Sequence, residues 1–355
     1  MSRGEWAVAR KAGLRNQEVT LEGVGKTDAD LAAAVRATAD GAAPLWLAIE
    51  SPDEAAALIA LARGAWLGTH GTPPLDVLFR LNPDVTPETQ AVLAVGSGSS
   101  KFGMTETELS AAVEQVARAS PSLRARGVHL HVGSQLGAVD AWRDAVRRAL
   151  AVVGLLRGSI PTFDTLDVGG GFPVAPLGEP TPGPERFARE LPALLDAIPA
   201  DRRPSRFAVE PGRFLVARSG WLVGRVLHVR ERGGRQLVLD TGMAELLRPA
   251  LYGARHPIVA LTSLGTAVGD AGGDEDGDRE PAAVHGPICE STDVLGEHAL
   301  PPLERGDLVA IRDTGAYAAS QSSTYNGRPR PPQVILTTDG RLESARRRGS
   351  AAALG

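Results

Sequence analysis

The sequence has little of several residues that usually declare a function. One cysteine, Cys289, occurs in 355 residues, so no disulfide can close within the chain. That thiol is either an inert buried side chain or a reagent. Aromatic residues make up 4%, and only three are tyrosines, Tyr252, Tyr317 and Tyr325, so the place of each is informative. No apolar run approaches the roughly 20 residues of a membrane span. The opening Met1-Ser2-Arg3-Gly4-Glu5-Trp6 has no signal-peptide core. A formal net charge of -4 supplies no field that would draw nucleic acid or an anionic membrane. What is present is ordinary for a globular protein: 43% hydrophobic and 23% charged residues, with length for about two domains. The default expectation is a cytoplasmic enzyme.

Through residue 213, β-type runs alternate with Ala-rich helical runs. Strands are expected at Glu18–Glu22, Leu45–Glu50, Asp76–Leu81, Val128–Gly133, Thr165–Val168 and Arg206–Glu210. Thr27–Ala39, Asp53–Arg63, Glu106–Ala119 and Ala141–Leu156 carry apolar residues at helical spacing, and several open with cap signals: Thr27 with Asp30, Ser51-Pro52-Asp53-Glu54, and Thr105 with Glu108. Such repetition implies parallel strands with right-handed crossovers. Six units fall two short of an eight-stranded barrel; an open doubly wound sheet is the alternative, although Glu22-Gly23-Val24-Gly25-Lys26 is a poor dinucleotide-binding turn. From 214 to 345 short Val- and Leu-rich runs recur at Trp221–Val229, Gln236–Asp240, Leu308–Arg312 and Gln333–Thr337, which predicts an all-β second domain. Within it, an acidic Gly- and Asp-rich stretch at about 269–280 reads as a disordered loop. The tail after about Ser344, 346–355 above all, reads as frayed.

Six segments carry candidate chemistry. His129-Leu130-His131 ends a strand, and residues two apart share a face. Such a pair binds metal or is a buried structural pair, and metal needs further ligands from other strands. Asp167-Val168-Gly169-Gly170-Gly171 leaves backbone N–H groups unshielded after a strand, as a phosphate nest or a tight turn. Glu210-Pro211-Gly212-Arg213 sets a carboxylate and a guanidinium at a strand's C-terminal end, the active face of a parallel barrel, unless it is a surface ion pair. Farther on lie Arg248-Pro249-Ala250-Leu251-Tyr252, Cys289-Glu290-Ser291, and Asp313-Thr314-Gly315-Ala316-Tyr317 followed by Tyr325-Asn326-Gly327-Arg328-Pro329-Arg330-Pro331.

In this order the six segments resemble the fold-type III pyridoxal-phosphate decarboxylases of diamino and basic amino acids, in wording nearest the diaminopimelate-specific branch, from about Ser2 to about Leu336. Ser99-Ser100-Lys101-Phe102-Gly103 and Gly25-Lys26-Thr27 fit that family too. The resemblance implies a TIM-type, alanine-racemase-like α/β barrel, incomplete at its N-terminus, in 1–213, with the β domain of 214–345 completing the active site. It implies pyridoxal 5'-phosphate as cofactor and no metal. His131 would stack on the pyridine face and Glu210 would keep the ring nitrogen protonated. Ser134, Gly170, Gly212, Arg213 and Tyr317 would hold the phosphate. Arg213, Arg248, Tyr252, Glu290 and Tyr317 would line a site for a diamino acid, and Cys289 would return a proton to the carbanion. Cys289 and Glu290 would reach a neighbouring subunit's site, which implies a homodimer. The activity implied is decarboxylation of meso-diaminopimelate to lysine, or of a close analogue. A non-catalytic homologue and a metal-dependent barrel hydrolase are the readings from other classes.

One expected part is missing. The chain has three lysines, Lys11, Lys26 and Lys101. Lys11 falls in the first helical run, and the other two match positions that do not form the Schiff base in the family. The resemblance puts the Schiff-base lysine at the end of the first barrel strand, upstream of the segment that Ser2-Arg3-Gly4-Glu5 matches. The same absence accounts for the six units. The preferred expectation is a misassigned start, with Met1 standing for an internal valine. A second polypeptide supplying the unit, or a degenerate homologue, are the alternatives. The 355-residue chain alone is expected to be poorly soluble, because an incomplete barrel exposes strand edges, and to form no Schiff base.

Overall fold

The structure, a computed structural model, describes residues 2–65, 67–68, 71–85, 100–119, 121–174, 181–268, 279–350 and 352. They form two compact units, one within Met1–Pro173 and Thr181–Pro211, the other from Gly212 onward.

The first unit opens with helix α1 (Arg3–Lys11) and then repeats strand and helix: β1 (Thr20–Leu21), α2 (Asp28–Ala39), β2 (Trp46–Ile49), α3 (Pro52–Gly64), β3 (Leu75–Leu81), α4 (Glu106–Arg118), β4 (Leu123–Leu130), α5 (Asp140–Arg157), β5 (Thr165–Asp167), α6 (Pro184–Ala188), α7 (Leu191–Asp196) and β6 (Arg206–Ala208). The expected helix starts are capped: Thr27, Ser51 and Thr105 accept from the backbone N–H of Asp30, Glu54 and Glu108. The six strands pair in parallel in chain order, β1 through β6, the arc of an α/β barrel. Among the described residues β1 and β6 have one strand neighbour each.

Alternation along the strands sorts the side chains into two sets. Leu47, Ile49, Val77, Phe79, Leu81, Val128, Leu130 and Leu166 pack in the large cluster with α2 to α5. Trp46, Ala48 and Leu78 gather on the opposite, inner face, with Ala208 against them. The expected strand at Val128–Gly133 begins earlier and ends at Leu130, because β4 carries a bulge. Val77 pairs with Ala125 and Leu78 with Gly127, so Arg126 is the extra residue. Arg126 turns toward Asp164, 3.2 Å away. The shift brings Arg80 level with His129, and His129 level with Asp167. A polar row thus crosses three adjacent strands on the inner face.

The second unit has a six-stranded sheet in the order β11-β10-β8-β7-β12-β9, formed by β7 (Leu222–Glu231), β8 (Arg235–Leu239), β9 (Ile258–Leu261), β10 (Glu280–His285), β11 (Val294–Leu300) and β12 (Leu308–Ile311). Among the described residues of this sheet, only β8 and β10 pair in parallel. Its core includes Val226, Leu237, Leu239, Val284, Leu295, Val309 and Ile311. Three short helices punctuate the strands: α8 (Gly212–Val216), α9 (Arg248–Tyr252) and α10 (Ala318–Gln321). β13 (Gln333–Leu336) pairs with β14 (Leu342–Arg346), which carries the strand past Ser344, and Gly349 N donates to Arg330 O; of the expected frayed tail, 351 and 353–355 lie outside the described residues. The hairpin is held by backbone bonds rather than burial, with Ile335, Leu336 and Leu342 exposed; its first strand is the expected run at Gln333–Thr337, while β14 carries no apolar pattern to announce it. Of the expected acidic loop, Glu280 belongs to β10, and 269–278 lie outside the described residues. Among the described residues no helix is long and apolar enough to cross a membrane.

The bulge makes a testable demand. A Cβ on Gly127 would lie 1.8 Å from Thr165 O. Gly127→Ala should therefore destabilise the first unit by at least about 2 kcal/mol in urea unfolding, whereas Gly64→Ala, with nothing within 4 Å of the added methyl, should be neutral or stabilise by up to about 1 kcal/mol. Equal effects would contradict the bulge.

Candidate active site

Parallel strands bring their C-terminal ends to one side, and the polar residues of the first unit collect there. Glu22 follows β1, Glu50 follows β2, and Arg80, His129 and Asp167 lie near the ends of β3, β4 and β5. His131, the glycine run and Glu210 continue just beyond their strands. Arg80 Nη1 meets Glu50 Oε1 at 2.6 Å, and Gly103 N donates to the other Glu50 oxygen at 3.0 Å. His129 Nε2 lies 3.5 Å from Glu22 Oε2 and 3.6 Å from Glu210 Oε1. His131 Nδ1 lies 3.9 Å from Glu210 Oε2 and accepts from Gly170 N at 3.3 Å. Glu210 N donates to Gly169 O at 2.9 Å. His131, Glu210 and the glycine run therefore meet, and both imidazoles of the His-x-His pair reach the same carboxyl.

Burial sets the charges. It pushes His129 below the ordinary imidazole range, against the pull of Glu22 and Asp167. Burial, then the positive charge of Arg80, lowers His131 to about 3. Both rings are neutral at physiological pH. Burial would raise Glu22, but His129 and hydrogen bonds from Glu210, Trp46 and Thr20 outweigh it and hold Glu22 at about 2. Burial, then the hydrogen bond and charge of Glu22, push Glu210 up to about 9. Burial raises Asp167 to about 7, opposed by His129 and by the N–H of Gly169. This region can hold a proton at Glu210 and present that carboxyl beside a half-buried imidazole.

The glycines serve close approach of backbones. A Cβ at Gly169 would lie 2.0 Å from Leu130 O, at Gly170 2.4 Å from Glu210 O, and at Gly171 2.4 Å from Gly133 O. Gly169 and Gly171 also hold positive φ, 67° and 94°. Two of the three amides are already used: Gly169 N donates to Asp167 Oδ1 at 2.9 Å and Gly170 N to His131. A nest of three open amides is thus not what the run presents; it is a tight crossing of strand ends.

The second unit builds its own cluster. Arg213 Cζ lies 4.7 Å from the Tyr317 ring centre, and Arg248 Cζ lies 5.4 Å from it and 5.5 Å from that of Tyr252. Tyr317 adopts φ 67°, a left-handed conformation rare for a bulky residue. Burial, with the like charge of Arg248, lowers Arg213 to about 10 despite the two tyrosines. Nearby in sequence to Tyr317, Tyr325 hydroxyl donates to Glu290 Oε1, and Asn326 Nδ2 donates to the exposed Cys289 sulfur at 3.4 Å. The Cys289 loop is braced by buried Asp293, whose carboxylate accepts from Met243 N at 2.6 Å and Ile288 N at 2.7 Å.

Several of these residues escaped the sequence reading. Glu22 had a legible signal, an acid at a strand end like Glu210. Asp293 looked like any loop acid; only its burial identifies it as the brace. Tyr325 and Asn326 were noticed without roles. The lysines are occupied elsewhere: Lys26 Nζ lies 3.0 Å from Glu54 Oε1, Lys101 Nζ lies 5.2 Å from the Phe102 ring centre, and Lys11 is exposed in the last turn of α1.

Comparison with known proteins gives this arrangement its context. Residues 1–217 match the family described as pyridoxal-dependent decarboxylase, pyridoxal binding domain. A diaminopimelate decarboxylase of Actinosynnema pretiosum subsp. auranticum is 39% identical over 348 residues, 96% of this chain and 72% of the relative. That of Deinococcus radiodurans is 34% identical over 339 residues, 95% of this chain and 76% of the relative. The crystal structure of the Helicobacter pylori diaminopimelate decarboxylase in complex with L-lysine superimposes with a TM-score of 0.85 at 30% identity, covering 100% of this chain and 82% of that one. The chain belongs to the pyridoxal-dependent decarboxylases, the fold-type III carboxy-lyases that work through pyridoxal phosphate, and among them it is similar to the diaminopimelate decarboxylases.

Proposed function

We propose that the protein decarboxylates meso-diaminopimelate to L-lysine, or acts on a closely related diamino acid. The observation that carries the cofactor side is the meeting of His131, Gly170 and Glu210 at the strand ends. These residues fit a pyridine ring: a half-exposed neutral imidazole for its face, and a carboxyl that binds a proton at neutral pH for its nitrogen. Bound there, pyridoxal phosphate supplies an electron sink for the carbanion left as carbon dioxide departs. Ser134, Gly170, Gly212, Arg213 and Tyr317 are assigned to its phosphate. Gly170 can serve only by exchanging His131 Nδ1 for a phosphate oxygen.

On the substrate side, Arg213 and Arg248 offer forked donors to carboxylates, and Glu290 offers a charge to an ammonium. Tyr252 and Tyr317 fix the guanidinium planes by stacking. Such a set suits a substrate with an amino-acid head at each end better than ornithine. The names of the relatives, and the L-lysine in the Helicobacter pylori structure, point the same way. Cys289 returns the proton to the carbanion, its sulfur held by Asn326. A homodimer in which Cys289 and Glu290 serve the neighbouring subunit's site, in the cytoplasm, completes the proposal. One observation favours a second reading, a non-catalytic homologue or a partner of a true decarboxylase: the places of Lys11, Lys26 and Lys101 leave the Schiff base without a lysine among the described residues.

In a protein supplied with the family's lysine-bearing first strand and with pyridoxal phosphate, carbon dioxide should be released from meso-diaminopimelate as L-lysine accumulates, and kcat/KM for ornithine and arginine should be lower by ~10³-fold or more. Reaction with ornithine or arginine alone would overturn the substrate assignment. Cofactor binding without release from any of the three would establish the second reading. Cys289→Ala should lower kcat by ~10²–10⁴-fold while leaving cofactor affinity unchanged; an undiminished kcat would remove Cys289 from the reaction.

A further inference from the structure

The strand-end cluster contains an acid for which the proposed reaction has no assigned use. Glu22 stands just after β1, its side chain 13% exposed. Trp46 Nε1 donates to its Oε1 at 3.3 Å, and His129 Nε2 faces its Oε2 at 3.5 Å. An oxygen of Glu22, an oxygen of Glu210 and a ring nitrogen of His129 all lie within 4.8 Å of one another. His129, 2% exposed, makes no hydrogen bond with either ring nitrogen, and Nε2 is aimed between the two acids. Two carboxyls this close, beside a buried imidazole, repel one another when both are ionised, and a proton retained on one relieves that repulsion. The neighbours decide which. The imidazole faces both acids at nearly equal distance, but the indole N–H of Trp46 reaches Glu22, so the negative charge rests on Glu22 and the proton on Glu210.

We propose that Glu22 is a positioning residue for the cofactor anchor: held by Trp46 and facing His129 beside Glu210, it carries the negative charge of the pair and leaves the proton on Glu210. This rests on the reading of Glu210 as partner of the ring nitrogen. It adds a proton balance to that reading. A proton passed from the Glu210 O–H to a bound ring nitrogen would leave Glu210 a carboxylate and Glu22 unchanged. The net charge of the three groups is -1 before and after, so no proton is drawn from solvent. The charge on Glu22 then favours the protonated ring nitrogen as a second, more distant anion.

Every strand packed around Glu210 contributes a group to this balance. Glu22 comes from the β1 end and Arg80, already paired with Glu50, from β3. His129 and His131 come from β4 and Asp167 from β5. These groups also fix the sign of the pH effect. Glu210 binds its proton up to about 9 in the folded protein, against ~4.3 in an unfolded chain. Its contribution to stability is therefore full below the unfolded value and is lost as pH rises through that window.

Carbon-13 NMR of protein labelled at the glutamate carboxyls, free of cofactor, tests the proposal on the wild type, Glu22→Gln and Glu210→Gln. One wild-type carboxyl should titrate far above the usual carboxylate range. It should be absent from Glu210→Gln and lowered by at least about one unit in Glu22→Gln. Glu22→Gln should also lose less melting temperature than the wild type between pH 6 and 9. A wild type with no such carboxyl, or one that Glu22→Gln leaves unmoved, would overturn the proposal even if a variant fails to fold. Saturating pyridoxal phosphate at pH 7 should move the raised signal to its ionised position. If the cofactor binds and the signal stays protonated, or if the cofactor does not bind, the reading of Glu210 as its partner fails. The free-protein titration then still decides the role of Glu22.

Discussion

The first unit is organised around a constraint of solvation: acids and imidazoles on the inner face of a parallel sheet must satisfy one another. Removing an isolated charge from water is far costlier than any single contact it can regain. The molecule meets this in two ways. Arg80 and Glu50 neutralise each other directly at 2.6 Å. Glu22 and Glu210 do so by retaining a proton, with neutral His129 between them. Together these pairings leave a site poised for proton chemistry at the end of a scaffold whose helix-facing side is uniformly apolar.

Geometry that tight requires backbone to approach backbone. The bulge at Arg126 sets the phase of β4 so that His129 faces inward, and Gly127 permits it by standing where a methyl group would strike Thr165 O. The Gly169–Gly171 run does the same for the crossing of the β4, β5 and β6 ends. The glycines thus act on the chemistry indirectly, by allowing His131 and Glu210 to meet. In the second unit Asp293 has the corresponding task, fixing the loop that carries Cys289 and Glu290 through two backbone N–H groups.

Much of this was legible in the chain. Alternating apolar runs and the caps at Thr27, Ser51 and Thr105 marked the repeating unit, because local chemistry alone decides where those helices start. The strand-end motifs of His131, Glu210 and the glycines were visible for the same reason: a turn after a buried strand leaves few residue types to choose from. What escaped depends on contacts distant in sequence. The early start of β4 comes from pairing with β3, the strand β14 from backbone bonds to β13 without burial, and the role of Glu22 from a carboxyl 188 positions later (210 less 22). The glycine run reads equally as nest or turn until its amides are traced to Asp167 and His131.

The central claim is that His131, Glu210 and the glycine crossing make an anchor for a protonated pyridine ring. Nitrogen-15 NMR of pyridoxal phosphate labelled at the ring nitrogen and bound to the protein tests it most directly. A ring nitrogen shift in the pyridinium range well above the pH at which the free cofactor loses that proton is the result the account predicts. A shift in the neutral pyridine range would contradict it.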